Sequence, residues 1–376
     1  MDQKKHILFL SSWFPNRTHP TLGNFVQRHA EAVAQLAEVS VLYLVKDPTC
    51  LTIECEETIE NSVRIFRVYY PSNGLFFRNR RKALRAGMHQ LLTKCKSPDI
   101  IQLNMIWPEG WQAVSISKAW KIPFVLSDNW TGYHPDQRAP LPLHKKLFMR
   151  WVANQASLLL PVTHQLENAM RRLGFTAPSL VIPNVVNTDY FKKGTINHST
   201  QFLHLSHLDN NHKNISGLLS AWKCFSANHP DAEFHIGGDG DSSVYEAEAA
   251  QLGLSNVHFF GSLNQEQVAR KMQACDVFVL FSNYENLPLV MIEAMACGLL
   301  VIATDVGGVK EHLMEELGHQ LIQPRDNSGL ESALNQAHQL AATRNQDQII
   351  AYAVDHFSYT AVGKAFMNAY EKVWNN

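Results

Sequence analysis

Two glutamates, Glu285 and Glu293, stand on either side of a proline in the run Ser282-Asn283-Tyr284-Glu285-Asn286-Leu287-Pro288-Leu289-Val290-Met291-Ile292-Glu293. Ionised carboxylates only accept hydrogen bonds, so a ligand held by two of them must bring donors, which neutral sugar and ribose hydroxyls supply in number. Pro288 has the fixed φ of a first helical residue. This sets a helix start near Leu287 and points the amides of Leu289 and Val290 at an anion such as a phosphate. Glu285 then lies in the loop before the helix, and Glu293, five residues past Pro288, sits about 7.5 Å further along at about 1.5 Å per residue. Amides for phosphate beside carboxylates for ribose and sugar hydroxyls suit a nucleotide sugar. By residue type alone, a solvated loop position for Glu285 and a helix-surface position for Glu293 also fit.

The elements that would position these groups can be read from the apolar pattern. A continuous apolar run from Val277 to Phe281 has the length and composition of a buried parallel strand, and Gly298 closes the helix behind the glutamates. Upstream, strands are expected at 6–12, 39–45, 63–70, 99–104, 123–127 and 157–162, with helices at 78–95, 107–119, 140–154 and 163–173. After a linker at 179–198 the pattern resumes with a strand at 201–206, a helix from about Ile215 to Asn228, and strands near 232–240, 256–260 and 299–304. Alternating strands and helices favour parallel sheets, hence doubly wound α/β architecture. Gly23 opens the helix after the first strand, but no G-x-G-x-x-G precedes it, so this is not a dinucleotide fingerprint. The last helix carries Val362, Phe366, Ala369, Tyr370 and Val373 at helical spacing, a core-packing stripe.

With 376 residues, 45% hydrophobic and 18% charged, the chain can build two globular cores. No apolar run approaches the roughly 18 residues of a membrane span, and residues 7–10 are too short for a leader, so a cytoplasmic protein is expected. Six cysteines form no C-x-x-C pair, which points away from a zinc site or a disulfide framework. The net charge of −1 hides an asymmetry: residues 1–180 hold 22 Lys+Arg and 13 Asp+Glu, the remainder 11 and 21. Basic clusters occur at Arg78, Arg80, Arg81, Lys82 and Arg85, and at Lys145, Lys146 and Arg150 beside Leu147, Phe148 and Trp151. They either attract anionic headgroups at the inner membrane surface or are solvated helix faces. Nucleic acid is not an expected partner.

Glu285, the seven residues after it and Glu293, followed by Ala294-Met295-Ala296-Cys297-Gly298 and by Val301-Ile302-Ala303-Thr304-Asp305-Val306-Gly307-Gly308, resemble a known signature. It is that of retaining nucleotide-sugar glycosyltransferases with the GT-B fold, specifically family 4 (glycosyl transferases group 1). The resemblance covers nearly the whole chain and is weakest from 46 to 100. It implies two Rossmann-like doubly wound domains facing across a cleft. Residues 1–183, completed by a C-terminal helix at 357–376, would bind the acceptor, and residues 184–356 the nucleotide sugar. The implied enzyme is a hexosyltransferase that moves a sugar from a nucleotide-diphosphate sugar to a hydroxyl of a saccharide or lipid-linked acceptor, in bacterial surface polysaccharide or glycolipid synthesis. No metal or other cofactor is implied.

Carried onto this sequence, the resemblance gives Glu293 the ribose hydroxyls and Glu285 the sugar, with Asn286, Leu287, Leu289 and Val290 lining the donor. Gly23 would let the first loop approach the diphosphate. Lys213 matches the lysine that neutralises the leaving diphosphate, and His207 holds the place of the accompanying arginine, a weaker and pH-dependent cation. Where many relatives carry Glu-His-Trp, this chain has Asp128-Asn129-Trp130. The histidine's place near the donor sugar falls to Asn129, which can hydrogen-bond but carries no charge, or to His134 from the next loop. Asp239-Gly240-Asp241 sits in a glycine-rich turn and reads as turn chemistry rather than a metal pair. A sugar-nucleotide epimerase and a non-catalytic nucleotide-binding partner subunit would share this fold and donor site.

Overall fold

The computed structural model describes residues 4–72, 76–133, 141–195, 197 and 199–374. The chain divides into two compact units, one of Met1–Val185 with Tyr359–Asn376 and the other of Val186–Ser358.

The first unit contains β1 (His6–Ser11), α1 (Asn24–Ala34), β2 (Glu38–Asp47), β3 (Glu54–Glu60), β4 (Val63–Pro71), α2 (Phe76–Lys94), β5 (Ile100–Asn104), α3 (Gly110–Trp120), β6 (Phe124–Asp128), α4 (Leu143–Ala153), β7 (Leu158–Pro161) and α5 (His164–Arg172). Its strands form a seven-stranded sheet in the order β3-β4-β2-β1-β5-β6-β7. Every residue of β1 is buried, as a central strand covered on both faces requires. Phe9, for example, lies between Val41 of β2 and Gln102 of β5 in parallel register. Only β3 runs antiparallel, with Glu57 opposite Phe66 of β4. This strand has no apolar run to announce it, because an edge strand with exposed residues needs none.

The C-terminal helix Tyr359–Trp374 belongs to this unit. Val362, Phe366, Ala369 and Tyr370 are the buried face expected from their spacing, sharing a core with Val26, Ala30 and Val33 of α1. Tyr359 Oη donates to Glu31 Oε2 at 2.6 Å and Tyr370 Oη to Gln102 Oε1, so the helix is pinned to both α1 and β5.

The second unit contains β8 (Gln201–Leu205), α6 (Asn210–Lys213), α7 (Ile215–Asn228), β9 (Glu233–Gly237), α8 (Ser243–Gln251), β10 (Val257–Phe260), α9 (Gln265–Gln273), β11 (Val277–Leu280), α10 (Leu289–Ala296), β12 (Leu300–Thr304), β13 (Gln320–Ile322), α11 (Asn327–Ala341) and α12 (Gln346–Phe357). Its six strands are all parallel, in the order β10-β9-β8-β11-β12-β13. The chain winds outward from β8 through β9 to β10, then returns to the other side of β8 and winds outward again from β11. Loops leaving β8 and β11 therefore diverge, and the crevice between them at the carboxyl edge is where open α/β sheets hold ligands. Among the described residues, no helix is long and apolar enough to cross a membrane.

Candidate functional site

The loops after β8 and β11 bring the two halves of the sequence signature together. Asp209 caps α6 by accepting from Asn211 N at 3.0 Å. Asn214 follows α6 in the left-handed conformation (φ 52°) and starts α7. This tight helix–helix junction turns Lys213 inward, leaving it 8% exposed. From the other side, the β11–α10 loop turns in Glu285, 6% exposed.

Lys213 Nζ and Glu285 Oε1 form an ion pair, and Ser282 Oγ donates to the same oxygen at 2.8 Å. Burial alone would push the Glu285 carboxyl up, but the Lys213 ammonium and then His212 outweigh it and hold the group below the usual carboxylate range. His212 stacks flat on Tyr284, with ring centroids 4.0 Å apart, and its Nε2 donates to the Tyr284 carbonyl at 2.8 Å. Burial first, and the Lys213 charge second, lower its pKa. His212 thus walls the pair, with its Nε2 3.7 Å from Glu285 Oε1.

Asn283 ties the two loops together. Its N–H donates to His212 O at 2.8 Å, its amide donates to Asn211 O at 3.0 Å, and its Oδ1 accepts from Arg325 Nε at 3.2 Å. From below, Thr304 Oγ1 donates to Ser282 O at 2.6 Å and Gly308 N to Asn286 O at 2.8 Å. Gly307 has φ 59°, and a Cβ there would stand 1.9 Å from Glu285 O, so only glycine lets the β12 loop support the Glu285 turn this closely.

Pro288 is the N-cap of α10 rather than its first helical residue, with φ −68° and ψ 126°. The helix begins one to two residues later than expected, at Leu289, because the fixed φ of proline is equally compatible with an extended cap. Met291 N already donates to Pro288 O at 3.2 Å, so the amides of Leu289 and Val290 head the helix, next to Asn286 and Leu287. Glu293 is only 4% exposed on a helix whose other residues are all apolar. Both glutamates are therefore buried, which overturns the solvated alternative for each.

His207 is exposed on the β8 loop. Asp239 Oδ1 accepts from Ser262 Oγ at 2.6 Å, which ties its turn to the loop after β10, and Asp241 Oδ1 accepts from Ser243 N at 2.9 Å in a local turn at the start of α8.

Gly23 and Asn129 lie in the first unit. Gly23 is the left-handed N-cap of α1 (φ 71°), and a Cβ there would meet the Trp13 carbonyl at 2.5 Å. Asn129, half-buried, donates to Asn184 Oδ1 at 3.5 Å. Beside it, Asp128 is buried, accepting from Tyr133 Oη at 2.5 Å and Trp130 N at 3.0 Å, and burial pushes its carboxyl up to about 6. His134 lies outside the described residues.

Some polar groups were missed or misread in the sequence. His212, Ser282 and Asn283 flank signature residues but gave no signal of their own. Arg80, counted in a surface basic cluster, is buried with Glu109 and Tyr70, donating to Tyr70 Oη at 2.8 Å. It is not available to headgroups.

Two Rossmann-like units, the second with a buried charged pair at its switch point, define the class of a GT-B glycosyltransferase. Residues 186–354 match the family described as Glycosyl transferases group 1, and residues 22–190 match Glycosyltransferase Family 4. The chain belongs to glycosyltransferase family 4 and has the GT-B fold. It is 26% identical over 358 residues to a Bacillus subtilis (strain 168) protein whose name assigns it to teichuronic acid biosynthesis, covering 87% of this chain and 88% of that one. It is 28% identical over 217 residues to a phosphatidyl-myo-inositol mannosyltransferase of Mycobacterium tuberculosis, covering 54% of this chain and 56% of that one. The fold is shared with Anabaena HepE, solved in complex with UDP-glucose, with a TM-score of 0.72, 18% identity, and coverage of 98% of this chain and 99% of that one.

Proposed function

We propose that this glycosyltransferase moves a sugar from a nucleoside-diphosphate sugar to a hydroxyl of a saccharide or lipid-linked acceptor, with retention at the anomeric carbon, in surface polysaccharide or glycolipid synthesis. The observation that carries the reading is the buried Lys213–Glu285 pair across the switch point of the second unit, beside the head of α10.

In this reaction Glu293 accepts from the ribose hydroxyls and Glu285 from the sugar. Lys213 and the Leu289 and Val290 amides stabilise charge as it develops on the diphosphate, with His207 at the rim. Electrostatic stabilisation of a leaving group is commonly the largest single contribution to rate. The bond from the anomeric carbon to the phosphate oxygen breaks as the acceptor oxygen bonds to the same face. The acceptor proton passes to the departing phosphate oxygen. This front-face route needs no carboxylate nucleophile of the kind retaining glycosidases use. Lys213 and the helix head supply positive charge that a divalent ion would otherwise bring, so no metal is required. The acceptor falls to the first unit, and a lipid-linked acceptor would bring the protein to the inner membrane surface as a peripheral partner. The names of the teichuronic acid and phosphatidylinositol relatives support both acceptor types.

The test is thermal stabilisation by UDP, GDP, ADP and CMP, each with EDTA or excess magnesium, because a ligand selective for the folded state must raise stability. One diphosphate that stabilises regardless of EDTA, followed by acceptor-dependent turnover of its sugar with an unchanged anomer, is the expected result. Donor conversion without an acceptor would make the protein an epimerase, and binding without turnover a non-catalytic partner subunit.

A further inference from the structure

The α3–α4 face of the first unit is apolar where a surface helix is ordinarily polar. On α4, Met149, Val152 and Ala153 are buried. Leu143, Leu147 and Trp151 recur every four residues on another face, with exposures of 71%, 55% and 37%. Trp111 of α3, 59% exposed, stacks on Trp151 with ring centroids 5.2 Å apart. Trp107, just ahead of α3, meets Phe148 edge-on at 5.8 Å, and Phe148 lies 6.3 Å from Trp151. Three exposed tryptophans and two leucines are thereby joined into one patch.

The rim of the patch is cationic. The Lys145 ammonium lies 5.5 Å from the Trp107 ring centroid and 5.2 Å from that of Trp130. Lys146 and Arg150 share its helix, Lys118 lies on α3, and neither helix contains an aspartate or a glutamate. A contiguous exposed apolar patch marks an interaction site. Tryptophan with lysine and arginine is the composition that suits a membrane–water interface, where rings sit at headgroup level and cations meet lipid phosphates.

We propose that the α3–α4 face docks the protein on an anionic lipid bilayer. Leu143, Leu147, Trp107, Trp111 and Trp151 enter the boundary between headgroups and acyl chains, and Lys145, Lys146 and Arg150 engage the phosphates. A second copy of the same face is a poorer partner, because a two-fold contact would set these cations against their own copies with no carboxylate on either helix to answer them. A soluble saccharide is poorer too, since Leu143 and Leu147 offer nothing to hydroxyls. Trp107 follows β5 at the carboxyl edge of the sheet, so docking here sets the lipid surface beside the end of the first unit where α/β sheets take ligands. The inference deepens the peripheral contact proposed above and rests on that reading only for the acceptor being lipid-linked.

The test is flotation of the full-length protein with vesicles of phosphatidylcholine, alone or mixed with phosphatidylglycerol. Wild type should float with the mixed vesicles and much less with phosphatidylcholine alone. The double variant Trp111→Ser/Leu147→Ser should lose about tenfold or more in bound fraction, the scale expected for withdrawing two large apolar side chains from water-free contact. Lys145→Gln/Lys146→Gln should weaken binding and flatten its salt dependence. Unchanged melting of each variant shows that the fold is intact, and flotation does not depend on turnover, so an inactive enzyme that still floats separates the two proposals. Absence of flotation by wild type, or equal flotation of the Trp111→Ser/Leu147→Ser protein, overturns the assignment. Self-association of free wild type that this variant abolishes, without vesicle binding, overturns it in favour of a second copy.

Discussion

Lys213 and Glu285, 72 residues apart in sequence, neutralise each other inside the second unit. In the proposed reaction the donor diphosphate draws the ammonium toward itself and frees the carboxylate for a sugar hydroxyl. Removing one partner leaves the other buried and uncompensated, typically at about 3–5 kcal/mol. Lys213→Ala should therefore both lower the melting temperature and reduce turnover about 10²–10³-fold. Lys213→Met/Glu285→Leu separates the two effects. It should recover most of the lost stability while remaining inactive, because apolar replacement of a buried pair is often close to neutral. Near-normal turnover by Lys213→Ala would remove the lysine from the mechanism.

The same pair fixes an acid limit. The Glu285 carboxyl ionises below its unfolded value in the folded protein, so its contribution is fully present above about pH 4.3 and is lost as the pH falls through the lowered folded value. Asp128 behaves in the opposite sense. Its folded pKa of about 6 lies above an unfolded value of about 3.9, so the fold holds the proton longer than the unfolded chain. Stability of the first unit should fall as the pH rises from about 4 to about 6, by up to about 3 kcal/mol, and level off above that. Urea midpoints for wild type and Asp128→Asn between pH 4 and 7 check this. The asparagine variant should lack the decline, and parallel curves would exclude Asp128 as its source.

Gly307 provides a test of whether loop position, rather than the ion pair alone, matters. With φ 59° and Glu285 O only 1.9 Å from a hypothetical Cβ, Gly307→Ala must displace the Glu285 turn. A stability loss of about 1–3 kcal/mol is expected, together with a weaker nucleotide-induced thermal shift. A variant that melts lower but binds nucleotide with wild-type affinity would confine Gly307 to folding.

What the sequence disclosed depended on how local the chemistry was. Glu285, Pro288 and Glu293 lie within one loop and one helix, so their spacing alone outlined an anion site with carboxylates beside it. Lys213 could be matched by resemblance, but its pairing with Glu285 is a consequence of β8 and β11 lying side by side, which no local pattern records. Arg80 read as one more surface cation because its partners, Tyr70 and Glu109, come from two other segments. The short β13 and the polar edge strand β3 fell below any periodic signal. On α4 the sequence set Lys145, Lys146 and Arg150 beside Leu147, Phe148 and Trp151 and left a headgroup contact and a solvated face both open, and the fold adds that Leu143, Leu147 and Trp151 are exposed together while Met149, Val152 and Ala153 are buried.

Glu293 offers the sharpest test of the donor assignment, because its proposed ligand can be edited without touching the protein. It is buried on an otherwise apolar helix, and in the proposed reaction it accepts from the paired ribose hydroxyls. The effective nucleoside diphosphate should stabilise wild type by about 2.7 kcal/mol at a hundredfold excess over its Kd, and Glu293→Ala should lose most of that. The 2′,3′-dideoxy analogue should bind wild type as weakly as the normal nucleotide binds Glu293→Ala. It should bind the variant no more weakly still, since the interaction is already gone, and this non-additivity is the signature of direct contact. Additive losses would mean that Glu293 and the ribose act independently, and the carboxylate would then have to be assigned to another part of the donor.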